Sequence, residues 1–305
     1  MARTLWLLGS LIAVGIGYIL YEPSFDPESL RGARVVITGC SSGIGEQMAY
    51  EYAQMGAKVL ITARRENRLK EVVAKMRELG AQEALYVAGD MGKAEDCERT
   101  IQTAKEKFGG LDILVINHLA STIDNKFFQF LWDGDMDYAQ KHIQANYVSY
   151  LRLASLALPS LHRNSGSIVV VGSAAGRFGV PLNTLYSGTK FGLHGFFSSL
   201  RQELHIQKSN VSVTYIVLGA IDTVLGKKAI HDRGLDTKQQ MAPVSSAAQA
   251  IIRGGATGQR EVYYPWGQIW TLVKVWDFFP QVADYFLELS VIDGPKKLDR
   301  SPLLE

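Results

Sequence analysis

Tyr186 and Lys190 stand four residues apart in the stretch NTLYSGTKFGLHGFFSSLRQELH, which covers residues 183–205 and has a helical pattern. A spacing of four places both side chains on one face of a helix. Tyrosine has a pKa of about 10 and is a poor base at neutral pH, but a nearby ammonium group favours its phenolate. The pair therefore predicts proton transfer to or from a substrate oxygen. The alternative is a solvated helix face without a chemical role.

Ser173 is a third residue suited to this chemistry. It ends the apolar run GSIVVVGS, and a hydroxyl at the carboxyl end of a strand faces the ligand crevice of an open α/β sheet. There it would hydrogen-bond the reacting oxygen, while Lys190 would also hold the ribose of a nicotinamide cofactor. With Tyr186, these residues predict hydride transfer coupled to proton transfer at an alcohol or ketone carbon.

Apolar, β-branched runs alternate with helical patterns from Arg34 onward. The predicted strands are RVVIT, AKVLITA, EALYVAG, LDILVIN, GSIVVVGS, VSVTYIVLG and EVYYP. The main predicted helices cover residues 45–55, 66–79, 93–108, 136–161 and 186–207. Near-continuous apolar strands separated by helices are typical of a parallel sheet covered on both faces. We therefore expect a single doubly wound Rossmann domain of the α/β class over residues 33–265, with ligands beyond the carboxyl ends of its strands.

The first predicted strand is followed by a glycine-rich segment, TGCSSGIG, at residues 38–45. Glycine permits a tight turn and a close approach of the backbone to a pyrophosphate at a helix N-terminus. A glycine-rich loop alone is a weak signal, but its place between the first strand and the first helix makes it a strong one. The residues predicted to contact a cofactor here are Gly39, Ser41, Ser42, Gly43, Ile44 and Gly45.

Two arginines at the end of the second strand, Arg64 and Arg65, indicate which cofactor binds. An acid in this place, about twenty residues after the glycine loop, would hold the free ribose hydroxyls of NAD. The first acid is Glu66, whereas guanidinium groups are permanently charged and bind a 2′-phosphate bidentately. We therefore expect NADP(H). The alternative is that both arginines simply begin a surface helix.

Polar residues also end the third and fourth strands. Asp90, followed by Met91, is expected to reach the adenine edge of the cofactor or to cap the next helix, and both roles are compatible. Asn117 would hold neighbouring strands through its amide, and His118 after it is expected to be structural. Asp90, Met91 and Asn117 are therefore further predicted cofactor contacts.

Composition and charge exclude several classes of protein. The net charge is +2 with acids and bases interspersed, so nothing indicates a nucleic-acid surface. The two cysteines, Cys40 and Cys97, fall in different predicted elements, which excludes a disulfide framework. The six histidines show no clustering with each other or with cysteine, so no metal site is expected.

The N-terminus is a separate apolar segment. Residues 5–21, LWLLGSLIAVGIGYILY, carry no charge and follow Arg3. As a helix they would span roughly 25 Å, within reach of a thin endoplasmic reticulum membrane. Residues 1–21 are therefore expected to be a signal peptide or a signal-anchor, with a buried core helix as the third possibility, and residues 22–32 a linker.

The charges around this segment predict a location. Arg3 precedes it and acids follow it, which favours a lumenal body. The triplet Asn210-Val211-Ser212 is a glycosylation acceptor and agrees with that side of the membrane. We expect a membrane-anchored protein in the endoplasmic reticulum lumen, or a secreted one if the segment is cleaved.

The chain resembles the short-chain dehydrogenase/reductases from about residue 31 to residue 264. The likeness is carried by TGCSSGIG, by NHLA at 117–120, by YSGTK at 186–190, and by Asn146 and Ser173. In that family an Asn, a Ser, a Tyr and a Lys form a catalytic tetrad, in which the Asn holds a water that relays protons to the Lys. The resemblance implies these roles for Asn146, Ser173, Tyr186 and Lys190.

Two departures from the usual family pattern indicate one branch. Asn-Asn-Ala-Gly becomes Asn-His-Leu-Ala at 117–120, and Pro-Gly after the sixth strand becomes Leu218-Gly219. With VLGAIDT, FGLHGFFSSLRQEL and RGGATGQREVYYPW, they look like the 11β-hydroxysteroid dehydrogenase type 1 branch. The likeness implies NADP(H), a small apolar steroid-like alcohol or ketone as substrate, and cofactor contacts from the backbone near Ile221 and from Thr223.

The branch likeness also bears on the phosphate site. Ser42 is neutral where many NADP-using relatives carry a basic residue. The 2′-phosphate is therefore expected to rest mainly on Arg64, with Arg65 as a second partner.

Two other functions fit the same residues. One is a short-chain reductase of retinoids or other lipid carbonyls, which would differ only in the substrate loop and the tail. The other is a non-catalytic NADP(H)-binding sensor or scaffold, which the intact tetrad argues against.

The last two regions predict how substrate and partners bind. Residues 220–243 are too long and polar for a simple connection and predict a substrate loop, with a plain surface insertion as the alternative. Residues 266–305 form an aromatic C-terminal extension. This tail is expected to pack on its own domain, to form a homodimer face, or to dip into the membrane.

Overall fold

The computed structural model describes residues 23–232 and 241–292, and its larger sheet has seven parallel strands. These are β1 (Arg34–Thr38), β2 (Lys58–Ala63), β3 (Glu83–Ala88), β4 (Ile113–Ile116), β7 (Ser167–Val171), β8 (Ser212–Leu218) and β9 (Glu261–Tyr264). Their order across the sheet is β3-β2-β1-β4-β7-β8-β9. A small antiparallel hairpin, β5 (Thr122–Ile123) and β6 (Lys126–Phe127), follows β4. The predicted parallel α/β sheet is confirmed.

Ten α-helices are present in the part of the chain that the structure describes. They are α1 (Gly43–Gln54), α2 (Glu66–Glu78), α3 (Ala94–Phe108), α4 (Met136–Ile143), α5 (Ser149–Asn164), α6 (Thr184–Ile206), α7 (Val224–Asp232), α8 (Val244–Ala256), α9 (Trp266–Phe278) and α10 (Pro280–Ile292).

Neighbouring residues of each strand enter two different hydrophobic cores. In β1, Val36 belongs to the core with α3, α5 and α6, whereas Val35 and Ile37 belong to the core with α1, α2 and α8. All three side chains are fully buried. Side chains alternate between the faces of a strand, so a sheet covered on both faces favours apolar residues at most positions of its strands.

The strand order reverses between β1 and β4, which leaves a crevice at their carboxyl ends. In an open parallel sheet this switch point is where ligands bind. Thr38 ends β1, and Asn117 follows β4. The segments after these strands are therefore the ones that build a site.

The predicted helix over 136–161 is interrupted. A π-helical turn covers Gln144–Val148 between α4 and α5. A π turn bonds residue i to residue i+5, so it inserts one extra residue and changes the direction of the side chains that follow. Asn146 lies within this turn.

The predicted substrate loop, residues 220–243, is partly ordered. It contains α7, and Ile221 pairs with Ala242 in an isolated parallel bridge. Residues 233–240 of this loop lie outside the described residues.

The aromatic extension folds into α9 and α10 as far as Ile292, and its later residues lie outside the described residues. Ile269 and Val273 of α9 are buried in the core that contains α3, α5 and α6. Phe278, Phe279 and Phe286, by contrast, are more than 60% exposed. One side of α9 therefore packs on its own domain, while the α9–α10 junction presents aromatic side chains to solvent.

The predicted signal peptide or signal-anchor, residues 1–21, lies outside the described residues, which begin at Pro23. The predicted linker contains a short 3-10 turn at Pro27–Leu30, and Leu30 is buried. Within the described ranges no helix has the length and apolar character needed to cross a membrane.

Candidate active site

Lys190 is buried in α6, and two hydrogen bonds hold its ammonium group. Nζ donates to the carbonyl oxygen of Val171, the last residue of β7, at 3.0 Å and to the hydroxyl of Tyr150 at 3.5 Å. Only 3% of the residue is exposed. Burial disfavours the charged form and lowers the pKa of Lys190 to about 7. The side chain is therefore poised to gain or lose a proton near neutral pH.

Tyr186 lies one helical turn before Lys190 on the same face of α6. The Nζ atom of Lys190 is 5.8 Å from the centroid of the Tyr186 ring. Phe128, a buried residue that follows the β5–β6 hairpin, packs against this ring with 4.9 Å between centroids. The structure brings the pair together as its spacing predicted, next to an aromatic wall.

Ser173 follows β7 and begins a short 3-10 turn. Its Oγ accepts a hydrogen bond from the backbone nitrogen of Ala175 at 3.1 Å. A serine hydroxyl has one donor and two acceptor positions, so the proton of Ser173 is left to be donated to a substrate oxygen.

Tyr215 of β8 packs against the Ser173 turn, a role that the sequence did not predict. A Cβ atom at Gly172 would lie 2.3 Å from the Tyr215 ring, and one at Gly176 would lie 2.9 Å from its hydroxyl. The same hydroxyl donates to the carbonyl oxygen of Lys190 at 2.9 Å. Tyr215 therefore fixes the Ser173 turn and the Lys190 backbone with one side chain.

Asn146 is 1% exposed, and its amide is bound to the segment after β4. Oδ1 accepts from the backbone nitrogen of Ala120 at 2.8 Å, and Nδ2 donates to the carbonyl oxygen of the same residue at 3.3 Å. Tyr150, four residues later, donates to the carbonyl oxygen of His118 at 2.5 Å and accepts from Lys190. Tyr150 thus links α5 to Lys190. In the sequence, its spacing of four from Asn146 was the only indication that Tyr150 belongs to the site.

His118 is a neutral imidazole in a fixed tautomer. Thr38 Oγ1 accepts from the backbone nitrogens of Asn117 at 2.9 Å and His118 at 3.2 Å, so its own proton goes to His118 Nδ1 at 2.9 Å. Nε2 must then carry the ring proton and donate to Ser149 Oγ at 2.8 Å. Ser149 in turn donates to the carbonyl oxygen of Ala145 at 2.8 Å.

This chain of hydrogen bonds fastens the end of β1 to the π turn. Burial, with a smaller effect from the charge of Lys190, lowers the pKa of His118 to about 3, which agrees with a neutral ring. His118 therefore acts as a structural clamp, the role its sequence context predicted.

The glycine-rich loop leaves no room for side chains at two positions. Gly39 has a φ of +76°, and a Cβ atom there would lie 2.8 Å from His118 Cα. A Cβ atom at Gly45 would lie 2.3 Å from the carbonyl oxygen of Gly39. Asn117 Nδ2 closes the loop by donating to the carbonyl oxygen of Thr38 at 3.1 Å. Because α1 begins at Gly43, its first N–H groups face this loop, which fits a pyrophosphate.

Arg65 is bound to the serines of the glycine-rich loop. Its Nη2 donates to Ser41 Oγ at 2.9 Å and to Ser42 Oγ at 2.8 Å, and its Nε donates to Ser41 Oγ at 3.1 Å. Arg64 is exposed and makes none of these contacts. The structure thus places Arg65, rather than Arg64, beside the two hydroxyls, and a guanidinium with two hydroxyls fits a phosphate group.

Asp90 and Met91 follow β3. Asp90 Oδ1 accepts from the backbone nitrogen of Gly92 at 3.0 Å. Helix α3 begins only at Ala94 and has no side-chain cap, so Asp90 closes the turn before the helix instead of capping it. The Met91 side chain is buried in the core, which leaves its backbone for a contact in the crevice.

Ile221 and Thr223 follow β8 and border the glycine-rich loop. The methyl group of Thr223 lies 3.2 Å from the position that a Cβ atom of Gly43 would take. Thr223 Oγ1 accepts from the backbone nitrogen of Gly226 at 2.9 Å, which leaves its proton to be donated. Ile221 is held by its bridge to Ala242. These two predicted contacts therefore lie at the same crevice as the glycine-rich loop.

Residues 33–234 match the family model described as short chain dehydrogenase. This stretch includes the glycine-rich loop, Ser173, and Tyr186 with Lys190. The chain belongs to the short-chain dehydrogenase family. It is therefore an oxidoreductase, and the predicted family, enzyme class and nicotinamide cofactor are confirmed.

Two relatives are similar over almost the whole chain. A hydroxysteroid 11-beta-dehydrogenase 1-like protein of Danio rerio is 44% identical over 290 residues, which cover 95% of this chain and 98% of the relative. The protein of the same name from Gallus gallus is 46% identical over 264 residues, which cover 87% of this chain and 88% of the relative.

Two solved structures of related enzymes are also similar. A short chain dehydrogenase from Burkholderia cenocepacia in complex with NADP is 26% identical, with a TM-score of 0.66, over 77% of this chain and 96% of that one. An alcohol dehydrogenase from Thermococcus sibiricus complexed with 5-hydroxy-NADP is 25% identical, with a TM-score of 0.63, over 75% of this chain and 94% of that one.

Proposed function

We propose that this protein is an NADP(H)-dependent dehydrogenase that interconverts a secondary alcohol and a ketone on a steroid of the 11β-hydroxy or 11-keto type. The observation that carries the proposal is the buried Lys190, which lies on one face of α6 with Tyr186 and has a pKa of about 7. Such a pair can exchange a proton with a substrate oxygen at neutral pH.

NADP(H) is supported by the residues of the crevice. The loop from Gly39 to Gly45 would hold the pyrophosphate, since side chains are excluded at Gly39 and Gly45 and the start of α1 faces the loop. Arg65, with Ser41 and Ser42, would hold the 2′-phosphate. The two related structures that are named with NADP or a derivative agree with this choice. The bound cofactor would supply or accept the hydride.

Three side chains divide the remaining chemistry. Ser173 donates its free proton to the reacting oxygen and orients it. Tyr186 gives its phenolic proton to that oxygen in reduction, or takes one in oxidation. Lys190 returns a proton to the Tyr186 oxygen, which its pKa of about 7 allows near neutral pH.

Other predicted residues support these three. Asn146 would hold the water that relays protons to Lys190, and Tyr150 keeps Lys190 in place. Asp90, the Met91 backbone and Asn117 would line the adenine side of the crevice. Ile221 and Thr223 would contact the nicotinamide amide, and Arg64 would add positive charge near the phosphate. Ile44 belongs to the first turn of α1.

An apolar substrate is supported by Phe128, which packs against the Tyr186 ring, and by the names of the relatives. Beside the start of α6, Val180 and Pro181 line a pocket of about 370 Å³ with Trp276 and Leu287 of the C-terminal helices, and the acids Asp284 and Glu288 lie at the same pocket. Ligand pockets are typically about 300–1,000 Å³ and mostly apolar. The two relatives described above carry a hydroxysteroid dehydrogenase name.

The location and partners follow from the segments outside the catalytic domain. We propose a lumenal enzyme of the endoplasmic reticulum, anchored by residues 1–21 or secreted after their cleavage. The exposed aromatic side chains of α9 and α10 would form a homodimer face or a membrane-facing surface. Asn210 is exposed, so a lumenal protein should carry a glycan that endoglycosidase removes. Expression in mammalian cells without such a mass shift would contradict the lumenal location.

Turnover by purified protein tests the activity. NADPH and NADH are each offered with 11-keto steroids, retinal and a simple lipid ketone, and the reverse reaction with 11-hydroxy steroids, read by nicotinamide absorbance. We expect turnover of the steroids with NADPH, and its loss in Tyr186→Phe but not in Tyr52→Phe. Preference for retinal would indicate the retinoid reductase instead. Cofactor binding without turnover of any substrate would indicate a non-catalytic sensor.

A further inference from the structure

Three buried polar atoms of α4 have no hydrogen-bond partner among the described residues. They are the hydroxyl oxygen of Tyr138 and both ring nitrogens of His142. Tyr138 is 2% exposed and His142 is fully buried. An unsatisfied buried polar group costs about 1–3 kcal/mol, so such groups usually bind ordered water.

The two side chains continue a row that ends at the candidate active site. Tyr138, His142 and Asn146 follow one another at intervals of four, and the Tyr138 and His142 rings are 6.0 Å apart. The intervals place Tyr138 and His142 on one face of α4, and Asn146 lies in the π turn that follows. Helix α4 packs against α6, which carries Lys190.

The inner residue of this row, His142, carries a neutral ring. Burial, and to a smaller degree the charge of Lys190, lowers the pKa of His142 to about 4. The ring is therefore neutral at physiological pH, with one nitrogen that donates and one that accepts. A neutral imidazole of this kind passes a proton on without holding a charge.

The outer end of the row reaches a partly exposed charged cluster. Lys126 Nζ lies 5.0 Å from the centroid of the Tyr138 ring. The same ammonium pairs with Asp133 at 2.5 Å and with Asp135 at 3.6 Å, and about a third of the Lys126 and Asp133 side chains is exposed. Asp135 also caps α4 by accepting from the backbone nitrogen of Tyr138 at 2.9 Å. Tyr138 therefore lies between the buried histidine and groups in contact with solvent.

We propose that His142 and Tyr138, joined by ordered water, form a proton path along α4 between Lys190 and solvent. The proposal rests on the function proposed above. In ketone reduction, Tyr186 gives one proton to the new alcohol oxygen and Lys190 gives one to Tyr186. The path then returns one proton from solvent to Lys190, so Tyr186 and Lys190 regain their starting protonation states. His142 and Tyr138 touch neither substrate nor cofactor; they act through Lys190.

Kinetics of three variants test this path. His142→Phe removes both ring nitrogens, Tyr138→Phe removes one hydroxyl, and Tyr52→Phe is the matched control. The Tyr52 hydroxyl is also buried and without a partner, but Tyr52 belongs to the other hydrophobic core, with α1. We expect kcat with ketone and NADPH to fall at least about tenfold in the first two variants, with KM within about twofold and the control unchanged. Added imidazole should restore turnover to His142→Gly.

A measurement without cofactor or substrate makes the test independent of turnover. In protein labelled with ¹⁵N-histidine, we expect the ring proton of His142 to exchange with water at least about tenfold more slowly in Tyr138→Phe than in wild type and Tyr52→Phe. Equal exchange in all three proteins would overturn the path, as would an unchanged kcat in folded His142→Phe. If wild type reduces no carbonyl compound, the proposed function fails, while the exchange rates still decide whether the path exists.

Discussion

Replacement of Arg65 by alanine should separate NADPH binding from NADH binding. Arg65 donates to Ser41 Oγ and Ser42 Oγ at 2.9 and 2.8 Å, so its guanidinium is held where we place the 2′-phosphate. Hydrogen bonds to charged groups contribute about 1.5–3 kcal/mol. At about 1.4 kcal/mol per factor of ten, their loss should weaken NADPH binding roughly 10- to 150-fold. Arg65 is exposed, so screening by salt favours the lower end of that range.

The ratio of the two dissociation constants is the quantity to measure. Arg65 also orders the serines of the loop, so Arg65→Ala should slightly weaken the binding of both cofactors. The binding of NADPH should weaken much further, because the variant also loses the contact with the 2′-phosphate. Titration of nicotinamide fluorescence gives Kd for NADPH and NADH in wild type, Arg65→Ala and Arg64→Ala. Arg64 is the matched control because it is the adjacent arginine and makes no contact with the loop serines.

We expect the Kd ratio of NADH to NADPH to fall at least about tenfold in Arg65→Ala and only a few-fold in Arg64→Ala. An unchanged ratio in Arg65→Ala would refute the phosphate site proposed here. A large fall in Arg64→Ala alone would restore the expectation from the sequence, which favoured Arg64.

Three further predictions concern the loop, the buried lysine and an acid in β9. Gly45→Ala should abolish cofactor binding in the same titration, because its Cβ would lie 2.3 Å from a carbonyl oxygen. Gly195 has open space around it, so Gly195→Ala should bind the cofactor normally. Its free energy of unfolding, measured with urea, should rise by up to about 1 kcal/mol. Lys190→Met should lose turnover; because the pKa of Lys190 is about 7 when folded and 10.5 when unfolded, the unfolded chain binds more protons between these values. From pH 7.5 to 9, the free energy of unfolding of wild type should therefore rise by about 2 kcal/mol relative to this variant. An equal slope of unfolding free energy against pH in both proteins would contradict the lowered pKa of Lys190. Burial opposes ionisation of Glu261, but hydrogen bonds from His194 and Tyr263 lower its pKa from 4.5 to about 2. The free energy of unfolding of wild type should therefore fall by about 3 kcal/mol as the pH falls through this window. Glu261→Gln should not show this loss.

The strands of the sheet were predictable because each is a short apolar run that fills two cores at once. Val35, Val36 and Ile37 show the reason: a strand buried on both faces is apolar at most of its positions. The Tyr186–Lys190 pair was predictable because both residues lie on one helix, where spacing alone fixes their relative direction. The glycine-rich loop was recognised from its place after the first strand.

What the sequence hid depends on contacts between distant segments. Tyr150 and Tyr215 read as ordinary core aromatics, yet their hydroxyls bind the side chain and the backbone of Lys190. Two adjacent arginines cannot be ranked by residue type, because the turn after β2 decides which one faces Ser41. The π turn around Asn146 was also missed, since one extra residue in a helix leaves the apolar period almost intact.

The position of Tyr215 has a consequence for directed evolution of substrate choice. Its ring occupies the space that a side chain at Gly172 would need, whereas a side chain at Gly176 would first meet the Lys190 carbonyl, at 2.8 Å. A mutant library that randomises the turn while Tyr215 is kept would consist mostly of misfolded members. A larger residue at 172 requires a smaller one at 215 in the same clone, and that smaller residue would give up the hydroxyl bound to the Lys190 carbonyl. Positions 172 and 215 are therefore one combinatorial unit, which we expect homologous sequences to change together or not at all, while position 176 stays glycine whatever residue stands at 215.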